Sequence, residues 1–168
     1  MCQSFVILFH APAGSKNPHT VSRASRPRVC GGVSPPQEQP DAGGTPAERE
    51  GETHATRAHL DLLMELQPGG PLASWRLLAT PEELDPVDAP PLSAEQQPDH
   101  RREYLTYEGP VSGDRGHVHR VDTGTLIVLA RSPRHVRFTL AGLRMRGTFA
   151  LRHVEGNRWE LRHENGGP

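Results

Sequence analysis

Lysine is almost missing from this chain, and cysteine, aromatic residues and long apolar runs are scarce. Each shortage excludes something. Two cysteines, Cys2 and Cys30, are too few for a disulfide framework or a four-thiolate zinc site. No apolar stretch approaches the ~18 residues that a membrane-spanning helix needs. The apolar segment 4–9 has no basic segment before it, so a secretory signal is not expected either. Aromatics at 5% and hydrophobic residues at 34% allow one modest core in a chain of 168 residues. A cytoplasmic protein without a membrane partner is the expectation.

Glycine and proline are abundant instead, 17 of each, far above their usual combined share of ~12%. Residues of both types break helices, which weighs against a helical bundle and for strands and turns. Lys16 is the single lysine; the other 18 of the 19 basic residues are arginine. The net charge of -1 conceals an asymmetry: the first hundred residues hold 7 basic and 13 acidic side chains, and residues 101–168 hold 12 and 7. Guanidinium forks match phosphate oxygens bidentately, so the arginine-rich half suggests a phosphate-bearing partner; a merely solvated charged face would have the same composition.

Composition shifts after His10. Residues 11–53 contain seven prolines, six glycines, no aromatic residue, and only Val21, Val29 and Val33 as large aliphatics. Such a stretch cannot bury enough surface to offset its ordering entropy. It is expected to be a disordered insertion after the first strand of a single domain spanning 1–168. The remaining 125 residues still suffice for one core.

Beyond the insertion the period becomes two. In His59-Leu60-Asp61-Leu62-Leu63-Met64-Glu65-Leu66 the residues Leu60, Leu62, Met64 and Leu66 fall on one strand face, and His59, Asp61, Leu63 and Glu65 on the other. Residues 67–71 read as a turn and 72–79 as a second strand, completing a hairpin. The acidic, proline-rich stretch 80–99 reads as a long loop with a possible turn at 81–84. Short strands are expected at 104–107, 116–121, 125–130, 136–140, 148–153 and 158–162, with turns at 109–110, 112–114, 122–124, 132–133 and 155–157. With 5–9 as a further strand, the pattern predicts a mostly β chain. Its expected architecture is a closed or partly closed antiparallel barrel of about eight or nine short strands.

Ten histidines are more than a chain of this size ordinarily carries, and three places set some of them apart. His59-x-Asp61 puts an imidazole and a carboxylate on one face with Cα atoms ~6.5–7 Å apart. A divalent ion such as Mn²⁺ or Zn²⁺ can bridge that gap, although an ordinary polar strand face has the same spacing. His10 ends the apolar strand Phe5-Val6-Ile7-Leu8-Phe9-His10. The run Asp99-His100-Arg101-Arg102-Glu103-Tyr104 joins types that can hold a phosphate, arginine by charge and histidine and tyrosine by donated hydrogen bonds. A charged loop leading into a strand would look alike. His19, His135, His153 and His163 lie among polar residues and read as surface.

Taken in order, these segments resemble the 3′-phosphoesterase domain of bacterial ATP-dependent DNA ligase D, above all its compact stand-alone relatives. That family opens with FVxxxH, matched by Phe5-Val6 through His10. It continues with HxDxRLE or HWDLxLE, matched by His59 through Glu65, and with a Ser/Thr-Trp strand, matched by Ser74-Trp75-Arg76. DHxxxYxxFEG reads here as Asp99-His100, Tyr104 and Tyr107-Glu108-Gly109. A glycine-rich turn and VxxxDxGT follow, matched from Gly113 through Val121-Asp122-Thr123-Gly124-Thr125. The ending, LxGxxLxGxFxL and RWxLxR, matches 140–151 and 158–162. Leu63 stands where the ligase-linked domain carries arginine, as in the compact relatives.

The resemblance implies a metal-dependent hydrolase in DNA repair that removes a 3′-phosphate or a terminal ribonucleotide. The implied metal ligands are His10, His59 and Asp61, with manganese the first expectation and zinc the second. His54 is an alternative first ligand, but it lacks the strand pattern that ends at His10. His100 and Tyr104 would act on the phosphate, and Arg76, Arg101 and Arg102 could replace the charge absent at Leu63. The implied partners are nucleic-acid 3′ ends and a DNA ligase or polymerase in trans, with the chain itself monomeric. Two other readings stay open: a degenerate relative that binds ends or a repair partner without turnover, and a cupin-like metal enzyme acting on another substrate.

Overall fold

The computed structural model describes residues 3–12, 58–84, 90–111 and 115–164. Nine strands account for most of them: β1 (Gln3–Ala11), β2 (His59–Met64), β3 (Leu72–Leu77), β4 (Leu92–His100), β5 (Gly109–Pro110), β6 (His117–Ser132), β7 (His135–Ala141), β8 (Arg146–Glu155) and β9 (Arg158–Glu164). The hydrogen-bonded order is β1-β2-β3-β4-β9-β8-β7-β6-β5, and β1 also pairs with β6. Every pairing is antiparallel. Eight strands therefore close a barrel, and the two-residue β5 lies against β6 outside the ring.

Period-two alternation divides the side chains between two packing layers. Phe5, Ile7, Leu60, Leu62, Phe138 and Phe149 belong to the main core, where Trp75 and Trp159 meet edge to face at 5.7 Å. The intervening residues of β1 and β2 turn to the opposite face. There Val6, Leu8 and Leu63 join Leu72 and Val118 in a second cluster, backed by Tyr104, Leu105 and Val111. Both faces of β1 and β2 are thus buried, so β1 reads as a continuous apolar run while only β2 shows its alternation.

Five expectations need correction. The segment 80–99 is not all loop, because β4 occupies its second half. β4 escapes the hydrophobic pattern since Ala94 is its one buried residue. It bonds β9 only from Leu92 to Glu95, and Pro98, which has no N–H to donate, lies beyond that stretch. The strand expected at 104–107 is absent, and Arg102–Leu105 form a 3₁₀ turn instead; a second such turn spans Pro81–Leu84, where a turn was expected. The strands expected at 116–121 and 125–130 are one strand, β6, of 16 residues. Its register against β1 shifts where Ile7 and Leu8 face Asp122 and Arg120, so Val121 is the extra, bulged residue, while Asp-Thr-Gly pairs in regular register with Ile7, Val6 and Phe5. Gly109-Pro110, expected as a turn, is β5 itself. The first strand also extends to Ala11; the rest of the expected insertion, His54 and both cysteines lie outside the described residues.

Asp122 explains one of the recognised motifs structurally. Its buried carboxylate accepts hydrogen bonds from the backbone N–H groups of Thr123, Leu143, Arg144 and Met145 at 2.7–3.1 Å. It thereby holds the β7–β8 turn to β6. A Cβ at Gly142 would lie 2.5 Å from Asp122 Oδ2 and 2.8 Å from the Phe5 ring, so glycine is the residue that allows this approach.

Candidate metal centre

His10 and His59 stand opposite one another in the β1–β2 register. Their rings are 4.8 Å apart and inclined at 65°. Asp61 lies two residues along β2, on the same face as His59, with its Oδ2 3.4 Å from His59 Nε2. One potential ligand atom from each of the three falls within 4.8 Å of those from the other two. Two adjacent strands therefore bring together residues separated by about fifty positions in the chain.

The surroundings prepare these groups to bind a cation. Burial holds the His10 pKa below the ordinary histidine value; the Arg115 carbonyl opposes that shift and the neighbouring His59 adds to it. His10 is accordingly neutral near pH 7, the form that offers a lone pair. Its Nε2 is 2.7 Å from the Arg115 carbonyl oxygen; with the proton there, Nδ1 carries the lone pair, a common arrangement for histidine ligands. Asp61 Oδ1 is sealed from solvent without a hydrogen bond, and Arg76 Nε approaches it only to 4.0 Å. Two imidazoles and a carboxylate with an unsatisfied oxygen make a donor set suited to a divalent transition ion.

A cavity of about 360 Å³ opens over this group, with Arg76, His100, Tyr104 and Arg115 among its walls and Leu8, Leu63, Val111 and Val118 as apolar lining. His100, at the end of β4, has Nδ1 3.0 Å from the Pro98 carbonyl oxygen and packs edge-on against Tyr104 at 5.3 Å. Arg76 lies opposite Asp61 in the β2–β3 register. A larger cavity of about 550 Å³, against Trp75, Trp159 and Arg131, contains none of the three potential ligands.

The residues singled out in the sequence thus divide. His10, His59, Asp61, Arg76, His100 and Tyr104 share the cavity. Arg101 and Arg102 do not line it. Arg102 hydrogen-bonds the buried Glu65 carboxylate, and Arg101 borders a neighbouring cleft. Arg115 and Gln97 line the cavity although the sequence did not single them out. Arg115 belongs to no periodic segment of the sequence, so only the tertiary structure reveals it. Leu63, fully buried, forms part of the apolar floor.

The chain matches the DNA Ligase D 3′-phosphoesterase domain over residues 51–153. It belongs to that family. The matched range includes His59, Asp61, Arg76, His100 and Tyr104; β1, with His10, precedes it and β9 follows it. No curated protein matches the chain. In this DNA ligase D-type phosphoesterase domain, the barrel brings His10, His59 and Asp61 from two strands to one face, next to the segment that bears His100 and Tyr104. Among the described residues no helix is long and apolar enough to cross a membrane.

Proposed function

We propose that this chain is a metal-dependent 3′-end-processing phosphoesterase of DNA repair, removing a 3′-phosphate or a terminal ribonucleotide. One observation carries the reading. Three side chains of types that can ligate a metal share a single cavity with the histidine, tyrosine and arginine that a phosphate would need.

His10, His59 and Asp61 would hold the ion, Mn²⁺ in the first instance and Zn²⁺ as the second choice. When bound, it would supply Lewis acidity to a phosphoryl oxygen and to the water nucleophile. The remaining work falls to the chain. Arg76 and Arg115 give the cavity the positive potential that a dianionic phosphate requires. The Tyr104 hydroxyl donates to a non-bridging oxygen. His100, its Nδ1 tied to the Pro98 carbonyl, presents Nε2 as the site of proton exchange with the departing 3′-oxygen. Leu8, Leu63 and Val118 exclude water from the floor, which strengthens each of these interactions. Arg102, engaged by Glu65, braces the turn that bears Tyr104. A ligase or polymerase would then use the resulting 3′-hydroxyl in trans.

The buried Leu63, standing at the family's arginine position, favours one competing reading, an end-binding protein without turnover. A single assay separates the two. Purified protein with Mn²⁺ is given a primer–template ending in a 3′-phosphate or in one ribonucleotide. Conversion to a clean 3′-hydroxyl is expected. Protein that binds the ion and the primer but leaves both ends intact would sink the enzymatic reading.

A further inference from the structure

Beside the metal cavity lies a second cleft of about 300 Å³, bordered by Arg101, Glu103, Tyr104, Tyr107, Pro110 and Val111. Tyr104 and Val111 line both spaces, so the two adjoin at those side chains. We propose that this second cleft binds the base of the terminal nucleotide, the one whose 3′-oxygen carries the phosphate to be removed. The proposal rests on the phosphoesterase reading and adds to it a nucleobase-recognition site.

Tyr107 is the main reason. It is the one aromatic side chain among the exposed large hydrophobics of the described residues, 39% accessible. Exposed as it is, the ring is held in place. Its hydroxyl donates to the Pro110 carbonyl at 2.6 Å, and Tyr104 packs against it edge to face at 5.9 Å. Gly109, at φ +140°, allows the chain to double back over the tyrosine; a Cβ there would sit 3.3 Å from the hydroxyl. A fixed aromatic surface open to solvent loses little entropy when a flat ligand stacks on it, and a nucleobase is such a ligand.

The rest of the cleft agrees. Arg101 can add a cation over the base or reach its phosphate, and Glu103 can accept from amino groups on a base edge. Because Tyr104 lines both spaces and packs against Tyr107, a phosphate contacting its hydroxyl would have its own nucleoside within reach of Tyr107. A stacking surface accepts every base, so the site should favour an end bearing any base over an end bearing none.

The test is equilibrium binding by fluorescence anisotropy, with Ca²⁺ as the ion and gels to check that the oligonucleotide stays intact. The probes are two short single strands with a 3′-phosphate, differing only in whether the terminal nucleotide has a base or is a tetrahydrofuran abasic analogue. Loss of the base should weaken binding to wild-type protein ~10–100-fold, the range for one stacked base. Tyr107→Ala should weaken binding of the base-bearing strand by a similar factor and leave the abasic strand unchanged, while Tyr107→Phe should keep the preference. Equal binding of the two strands by wild-type protein overturns the proposal, and that comparison stands even if Tyr107→Ala fails to fold. Wild-type protein that binds neither strand would overturn the end-processing reading as well. Binding of both strands with no preference removes the base cleft alone.

Discussion

Asp61 stands between two partners, His59 on its own strand with Nε2 3.4 Å from Oδ2, and Arg76 on β3 with Nε 4.0 Å from Oδ1. An ion at this position would satisfy the carboxylate better than the arginine does. His59→Ala should therefore abolish stoichiometric metal binding, read by elemental analysis after dialysis; unchanged metal content would place the ion elsewhere. Under the proposed function His100 would act on the phosphate and not on the ion. His100→Ala should lower turnover ~10²–10⁴-fold, the range for a positioned acid–base group, with metal content preserved. A variant that turns over like the wild type would remove His100 from the mechanism. At this scale the sequence was informative where chemistry coincided with period: His59-x-Asp61 on a strand could be read as a shared face. It was silent on Arg115, whose carbonyl and cavity position arise only when the chain before β6 passes over His10.

Among the elements, β2 does two jobs through one alternation. Its even-numbered residues fill the core, and its odd-numbered residues supply two potential metal ligands and an apolar floor at Leu63; Glu65 follows directly after the strand. Burial alone would raise the Glu65 pKa, but hydrogen bonds from Gly69 N–H, the Arg102 guanidinium and Ser4 N–H outweigh it and hold it below the ordinary value of 4.5. A depressed carboxylate pKa stabilises the fold above the unfolded-state value and loses that contribution as pH falls through the folded-state value. The wild-type melting temperature should drop steeply below pH 4.5. Glu65→Gln should melt lower near neutrality and respond less to acid; parallel curves for the two proteins would show that Glu65 is not the sensitive group. The Asp122 carboxylate is a second cross-element tie. Asp122→Ala strands several backbone N–H groups and should cost about 3 kcal/mol, seen as a lower urea midpoint at unchanged slope. Strands with a buried face, such as β2, β3, β7 and β8, could be read from period two. β4 could not, because a strand whose stability comes from backbone pairing and a single buried alanine has no apolar rhythm to detect. Nor could the continuity of β6, since Asp-Thr-Gly has the composition of a turn and only the Asp122 interactions with the β7–β8 turn show why it stays extended.

For the molecule as a whole, the essential step is closure of the ring. β1 bonds β2 on one side and β6 on the other, and Phe5 faces Gly124 across a sequence separation of more than a hundred residues. Contacts so distant in the chain are expected to form late, because loop closure must be offset before they contribute. His10 travels on that strand. The three potential ligands lie on β1 and β2, so if β1 docks only as the ring closes, the set is completed at that step and uptake of an ion becomes a clock for folding. In stopped-flow refolding with a metal-sensitive dye, tight ion capture should proceed with the rate constant of the slowest folding phase and never ahead of it. Capture in an earlier phase would mean that β1 and β2 pair before the ring is complete. If capture waits for closure, a misfolded or partly open barrel cannot hold the ion that its chemistry requires, and the protein becomes competent for reaction only once its architecture is finished.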